Sequence, residues 1–480
     1  MNLKTKILIE ERFIRISCNL LQNITKVSMM TYNFNQRMHK ILRIALPSGG
    51  NSFLDIANIA VGMYFIAHIS TNTEITKHNI VALGLGMNCW MFLFALTTIF
   101  YVGTNAQISR AFGERNYPKM NLILSTMSIG ALLVSIPIYL LACVLNELYF
   151  DWMDVGEETK TLGMLFLSLI FYSIPALFVK TIFISSLAAT GDTKSVFFIK
   201  IMSTLLNILL NYILIFGSNL LSIPPLGIKG AGIANVIVAY FESFVLFGIL
   251  CGLHRHLKIA FVLRWQNLIS GLRIGIPSGI ERALTIFSLV LITKFMTDYG
   301  LEVIAGFQIG SRVESFIFMP GFGFQVAAMS LVGQMLGAKR IDLAQSFVRT
   351  TLLVSSIIMG ILGIGLCVLG KELSAIFTTE SAVISYSFAY LVAVGLSQVP
   401  LIWIFVLDGA LRGAGATKLS LWINTGSIWI FRILPMWLCV RYQIDVIYIF
   451  AIICCETFLR AFIFGYIFHK GVWERYIAKI

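Results

Sequence analysis

Charge is what this sequence has least of. Of its 480 residues 12% are charged, 58% are hydrophobic and the mean hydropathy is +0.85. Soluble domains carry about 25% charged residues, so this chain lacks the groups needed to solvate a water-facing surface of its size. Other absences narrow the class further. There is no His-x-x-x-His or His-Glu-x-x-His to hold a catalytic metal, and no Gly-x-x-x-x-Gly-Lys-Ser/Thr loop to hold a nucleotide. The six histidines (39, 68, 78, 254, 256 and 469) fall near span ends or in connectors. No Cys-x-x-Cys occurs among the eight cysteines; most, such as Cys89, Cys143 and Cys367, lie in apolar runs and read as small hydrophobes. Ten-residue alternating strands are missing too, which excludes a membrane barrel. No enzyme, metal or cofactor is expected.

What is present is a series of apolar stretches, each long enough to cross a bilayer (about 20 residues). They lie near 46–69, 80–104, 122–145, 161–187, 195–217 and 231–253, then 272–297, 303–335, 347–370, 381–410, 419–440 and 444–468. With strands excluded, all are helices. The net charge of +13 is interspersed between these stretches and forms no patch for nucleic acid. Residues before the first span contribute Lys4, Lys6, Arg12, Arg15, Lys26, Arg37, Lys40 and Arg43, and the connector after the sixth contributes Arg255, Lys258, Arg264 and Arg273. The connector after the third span holds Glu147, Asp151, Asp154, Glu157 and Glu158. Alternate connectors are basic, which predicts a multi-pass protein of the cytoplasmic (inner) membrane with both termini cytoplasmic. Residues 1–40 are a basic extension. Ile7, Ile9, Phe13, Ile14, Leu20 and Leu21 suit an interfacial helix; alternatively, Met38 is the true start.

The chain also repeats itself. Arg43–Gly49 reads RIALPSG and Arg273–Gly279 reads RIGIPSG. Two later landmarks recur in order. Phe112-Gly-Glu-Arg matches Leu336-Gly-Ala-Lys, and Thr190-Gly-Asp-Thr-Lys matches Ala414-Gly-Ala-Thr-Lys. The offset falls from 230 for the first pair to 224 for the others, a change assigned to a longer connector around Thr71–His78. Six spans per copy is an even number, so both copies enter the membrane in the same direction. The expected fold is an all-α integral membrane protein of twelve transmembrane helices in two six-helix lobes, related by a pseudo-twofold axis along the membrane normal. The lobes are placed at 41–253 and 272–470, with a linker at 254–271 and a tail at 471–480.

Several segments carry a family resemblance. Phe307–Ala338, FQIGSRVESFIFMPGFGFQVAAMSLVGQMLGA, resembles the eighth-helix signature of multidrug and toxic compound extrusion (MATE) transporters. LAATGDTK at 187–194, LLNILLNYILIFG at 205–217, GIKGAGIANV at 227–236, GALRGAGATK at 409–418 and WIFRILP at 429–435 follow in the same order. The resemblance implies efflux of organic, often cationic compounds in exchange for H⁺ or Na⁺ by alternating access. The partners expected are a small organic substrate and membrane lipid, with no nucleic acid, and a monomer. A lipid-linked oligosaccharide or peptidoglycan-precursor flippase of the same superfamily is the alternative; it calls for arginines at membrane depth, where Arg282, Arg312 and Arg432 fall.

The resemblance also exposes departures. The first-helix aspartate of many relatives corresponds to Gly62, and a fifth-helix aspartate corresponds to Asn211, four residues after Asn207. Asp55 lies seven residues before Gly62, about 10 Å away on the same helix face, and is a candidate for the missing role. A carboxylate inside a membrane span is costly and marks a functional site; the structural alternative is hydrogen bonding to Asn51 or Asn58. Glu281, four residues after Pro277, is the second-lobe candidate, with an ion pair to Arg282 or Arg312 as its structural alternative. Glu314 is expected to answer Arg282 or Lys294, or to share a cavity with Glu281. Asp408 and Arg412 are spaced for a pair on one helix face. The ion-coupling and substrate-binding set is therefore Asp55, Glu281, Asn207, Asn211, Glu314 and Asp408. Glu242, Glu456, Arg432 and Arg460 read as packing residues. Pro47, Pro277 and Pro320-Gly321 are candidate bend points.

Overall fold

The computed structural model describes residues 32–69, 73–153, 155–218, 222–254, 256–259 and 262–479. The expected interfacial helix near residues 7–21 lies outside them, as do Asp154 and Arg255. Of the described residues, 32–40 belong to one unit and those from Ile41 onward to a second. In the first, Lys40 Nζ donates to the Tyr32 hydroxyl at 2.6 Å.

Each predicted span is a helix. The first lobe holds α1 (Phe34–Ala67), α2 (Thr73–Gly113), α3 (Tyr117–Trp152), α4 (Glu157–Phe171 and Ile174–Thr190), α5 (Thr193–Phe216) and α6 (Ile228–Gly248, extended by a π turn at Ile249–Leu253). The second holds α7 (Trp265–Thr297), α8 (Leu301–Ile317 and Met319–Gly337), α9 (Ile341–Ala375), α10 (Ser381–Leu396 and Gln398–Gly413), α11 (Thr417–Ser427, a π turn at Ile428–Ile433, then Leu434–Arg441) and α12 (Val446–His469). Eight helices are long and apolar enough to cross a membrane, or eleven if each bent pair is one span. The remaining span is α1, whose apolar run is diluted by Ser48, Asn51, Ser52, Asp55 and Asn58. Among the described residues the only strand-like pairing is the bridge between Ser218 and Ile223.

The bends have a local cause. α4 turns by 49°, α8 by 44° and α10 by 53°, and Pro175, Pro320 and Pro400 stand two or three residues beyond the breaks. Proline supplies no N–H to the preceding turn and clashes with it. Ser173 and Ser397, at the α4 and α10 breaks, share the 224-residue offset of the repeat. Of the expected bend points, Pro320 follows a break, whereas Pro47 and Pro277 lie within continuous helices. The offset change also needs correcting. Much of it arises because α2 is an unbroken 41-residue helix, while α8 is 17 and 19 residues joined through Phe318. The extra length is about one helical turn, not only a longer connector.

Each lobe has its own core. Phe100, Phe171, Phe178, Phe183 and Met127 pack together in the first, and Phe307, Tyr390, Phe450, Met296 and Met436 in the second. Lipid is as apolar as leucine, so such packing is held by van der Waals fit and close approach more than by the hydrophobic effect. Charges are biased between the helix ends, with Glu114, Asp192 and Asp342 among the exceptions at the basic set and Lys160, Lys371 and Arg441 at the acidic set. Arg115, Lys119, Lys194, Lys258, Arg264, Lys339, Arg340, Lys418 and Lys470 lie at one set of ends, and Glu147, Asp151, Glu157, Glu158, Asp298, Glu302, Glu372, Glu380 and Asp445 at the other.

The lobes touch through the basic-side halves of α1, α2, α7 and α8, and they do so reciprocally. A Cβ on Gly323 in α8 would overlap the carbonyl of Ala45 in α1, and a Cβ on Gly275 in α7 would overlap the carbonyl of Ile99 in α2. Ala45 and Gly275 are repeat equivalents, as are Ile99 and Gly323. Gly113 against Gln334 and Gly337 against Arg110 form a second equivalent pair. The two heptapeptides are thus the surfaces by which each lobe meets the other's second helix. Side-chain hydrogen bonds add to this contact, from Asn105 Nδ2 to Ser330 Oγ at 3.3 Å and from Gln334 Nε2 to the Ala189 carbonyl at 2.7 Å.

Candidate functional site

Many of the charged residues inside the spans gather into one network per lobe; Arg282, Lys294, Arg312 and Glu314 stand outside them. In the second lobe Glu281 stands in α7 one turn beyond Pro277. Asp408 and Arg412 occupy successive turns of the second half of α10. Ser420 and Asn424 are likewise one turn apart on α11, so each pair shares a helix face. The Arg412 guanidinium bridges Asp408 Oδ2 at 2.8 Å and Glu281 Oε1 at 2.9 Å. Asn424 Nδ2 donates to Glu281 Oε1 at 2.7 Å, and Gln325 Nε2 from α8 donates to Asp408 Oδ2 at 2.6 Å. The Ser420 hydroxyl contacts both carboxylates, Glu281 Oε2 at 3.0 Å and Asp408 Oδ1 more closely. Glu281 and Asp408 are only 5% and 2% exposed.

The network continues outward from Asn424. Arg460 Nη1 of α12 lies 3.5 Å from Asn424 Oδ1. Arg460 Nε and Arg432 Nη2 hold the two oxygens of Glu456 at 3.1 and 2.5 Å, and Ser427 Oγ adds a donor at 2.7 Å. Arg432 comes from the π turn of α11; such turns recur at functional positions because they re-aim side chains.

Sequence expectations for this lobe are therefore partly revised. Asp408 and Arg412 pair as their spacing predicts. Glu281 pairs with Arg412 instead of Arg282 or Arg312, because α10 brings Arg412 across to α7. Glu314 joins neither Arg282 nor Lys294 nor Glu281: the Tyr390 hydroxyl donates to Glu314 Oε2 at 2.5 Å.

In the first lobe Asp55 of α1 meets Lys200 of α5, with Oδ1 and Nζ 2.5 Å apart. It bonds neither Asn51 nor Asn58; Asn58 Nδ2 instead donates to Thr204 Oγ1 at 3.2 Å. Lys200 also lies 3.9 Å from Glu242 Oε1 of α6, and Lys180 of α4 holds Glu242 Oε2 at 2.8 Å. Asn207 and Asn211 are buried together but apart from these charges. Asn211 Nδ2 donates to the Asn207 carbonyl and Oδ1, both at 2.9 Å, and Asn207 Nδ2 donates to Asn235 Oδ1 at 3.2 Å. A Cβ at Gly62 would meet nothing within 4 Å.

Lys180 and Lys200 were missed in the sequence although each is a charge inside an apolar run. Ser420, Asn424, Gln325 and Tyr390 carried no such signal, being ordinary polar residues whose role depends on helix packing.

The sequence profile of the MatE family matches residues 55–213 and 277–438, one stretch in each lobe. The chain belongs to the MatE family. The two matched stretches place the family's unit within a single lobe, in accord with the internal repeat. Among curated MatE relatives, the chain is 24% identical over 439 residues to the probable multidrug resistance protein NorM of Thermotoga maritima, covering 91% of this chain and 93% of that one. It is 27% identical over 406 residues to a probable NorM of Pasteurella multocida, covering 82% and 84%. A solved structure described as the outward-facing conformation of a multidrug resistance MATE family transporter superposes with a TM-score of 0.83 at 16% identity, covering 92% of this chain and 97% of the other. The MatE fold, with twelve helices in two lobes, is that of this protein.

Proposed function

We propose that this MatE protein is a secondary active exporter that moves organic, cationic or amphipathic compounds out of the cell in exchange for H⁺ or Na⁺ by alternating access. In this reading it acts as a monomer in the cytoplasmic membrane without a cofactor. The basic helix ends and both termini are cytoplasmic, and the lobes are 41–253 and 272–470. Family membership and relatives named for multidrug resistance support the transport class. The coupling site is proposed in the second lobe at Glu281 and Asp408, with Asp55 as the carboxylate of the first. Asn207, Asn211 and Glu314 are secondary polar positions.

One observation carries the coupling assignment. The Ser420 hydroxyl has a single proton to donate, yet it lies within hydrogen-bonding reach of both Glu281 and Asp408. A proton on one of the two carboxyls makes both contacts full hydrogen bonds, since that carboxyl can then donate to the Ser420 oxygen. With it, Glu281, Asp408 and Arg412 sum to zero charge; without it they sum to minus one, and the cluster attracts a cation. A proton and a cationic substrate or Na⁺ thus compete for one charge. One proton exchanged for one monovalent cation moves no net charge, so one pH unit supplies about 1.4 kcal/mol and sustains roughly a tenfold gradient of the cation. The flippase reading has less to draw on, since Arg432 is committed to Glu456 at 2.5 Å.

The test is accumulation of a fluorescent organic cation inside everted vesicles, whose cytoplasmic face is outside, with H⁺ and Na⁺ gradients imposed separately. Substrate movement under at least one gradient, lost in Glu281→Gln, is the expected result. No movement under either would remove the exporter reading.

A further inference from the structure

The first-lobe network has a feature that the exporter reading does not use. Its four charged groups come one from each of four helices: Asp55 from α1, Lys180 from α4, Lys200 from α5 and Glu242 from α6. Glu242 is 4% exposed at its side chain and already has a close partner in Lys180 at 2.8 Å. Its other oxygen faces Lys200 at 3.9 Å, too far for a hydrogen bond but an acceptor waiting nearby. Asp55 is different. Its side chain is 56% exposed, and its one ionic partner among the described residues is the Lys200 ammonium at 2.5 Å. Lys200 itself is 12% exposed, so its charge belongs to this cluster and not to solvent.

A lysine ammonium is a compact charge on a flexible four-carbon stem with three donors. Of the four groups, Lys200 alone has two acceptors to choose between, one open to an arriving cation and one closed. We infer that Lys200 is a tethered counter-ion: it occupies Asp55 when no ligand is present, and it shifts to Glu242 when a proton or an organic cation takes Asp55. The shift needs about 1 Å of closure on Glu242, from 3.9 Å to ordinary hydrogen-bond distance. It leaves no carboxylate bare in either state, and bare buried carboxylates are what make such sites costly. Lys200 thereby sets how strongly a cation must bind in order to enter this lobe. The inference takes the class of the arriving cation from the exporter reading; the placement of the ammonium rests on the distances alone.

The experiment is equilibrium binding of tetraphenylphosphonium to the full-length protein in nanodiscs. Lys200→Met is expected to bind it about tenfold tighter, because Asp55 then has no internal competitor. Lys200→Arg is expected to return the affinity to the unsubstituted value, and Asp55→Asn combined with Lys200→Met to abolish the gain. Equal or weaker binding by Lys200→Met, or a gain that persists without Asp55, would overturn the inference. If Lys200→Met does not purify as a monodisperse protein, Lys200→Gln carries the same expectations. The outcomes separate the two readings. A gain in Lys200→Met without vesicle accumulation by the unsubstituted protein would sink the exporter reading alone, and accumulation without the gain would sink the tether alone.

Discussion

The two lobes share a backbone plan and place their charges on different chemistry. In the first, two carboxylates face two lysines, and Asp55 stands half open. In the second, Glu281, Asp408 and Glu456 face Arg412, Arg432 and Arg460 in a buried network that crosses five helices. Arginine presents a rigid fork that holds two carboxylates at once, whereas lysine presents a movable point charge. The repeat is visible even here. Asp55 and Glu281 both lie on the first helix of their lobe, and each reaches the fifth helix, where Lys200 and Asn424 are repeat equivalents. A lysine in one copy and an asparagine in the other divides the lobes into one with a mobile internal cation and one with a fixed arginine clamp.

The comparison breaks most readily at Arg412. Arg412→Ala leaves Glu281 and Asp408 buried without their shared cation, and a loss of about 3–5 kcal/mol is expected. Thermal unfolding in detergent should show it, and Lys200→Ala, which leaves a half-exposed aspartate, should cost far less. Equal losses would mean that the lobes do not differ as described. Next in size is Gly275→Leu, whose side chain has no room against Ile99. Folded protein with efflux reduced at least tenfold is expected, and cysteine accessibility on the basic side should rise; unchanged accessibility would argue against this contact as a closure point.

Carboxylate substitutions sharpen the comparison further. Glu281→Gln is expected to reduce efflux by about tenfold or more, of the order seen when a proton-transfer group is lost. Asp55→Asn, which leaves Lys200 with Glu242 to turn to, should have a smaller effect. A reversed order would move the coupling site to the first lobe.

The smallest effect is expected in the linker, which is bound to the first lobe. His254 Nδ1 accepts from the backbone N–H groups of His256 and Leu257 at 3.3 and 3.0 Å, and Lys258 N donates to Asn121 Oδ1 at 2.9 Å. Burial holds the imidazole below its usual pKa, against a smaller opposing effect of Asp192. A lowered folded-state value means that the unfolded linker binds the proton more readily. The cap is therefore complete above the ordinary value of about 6.5 and weakens as pH falls below it. Exchange of the Leu257 amide should quicken several-fold between pH 7.5 and 5.5 beyond the intrinsic change. His254→Phe should remove that pH dependence.

Span positions, the duplication and the charge asymmetry were legible because each is written in residue type along the chain. Hydrophobic runs fix where helices cross, and Asp408 with Arg412 is a local spacing. The partners of Glu281, Glu314 and Asp55 were not legible, because they come from helices 76 to 145 residues away. Which of several distant cations reaches a carboxylate depends on how helices rotate and bend. The bends themselves were half readable: Pro320 marks one, but Pro175 and Pro400 gained meaning only when their breaks proved to be repeat-related.

The reciprocal contacts between the heptapeptides and the opposing second helices have a consequence for motion. Ala45 on Gly323 and Gly275 on Ile99 are one contact made twice, about a single axis. A patch that meets its own equivalent in this way is isologous, and a straight separation of the lobes breaks both contacts together. Backbone against backbone with no Cβ between them has little give, so each contact tolerates little stretch. The basic side is therefore closed at two symmetry-related points, and duplication of one seven-residue word is enough to build both.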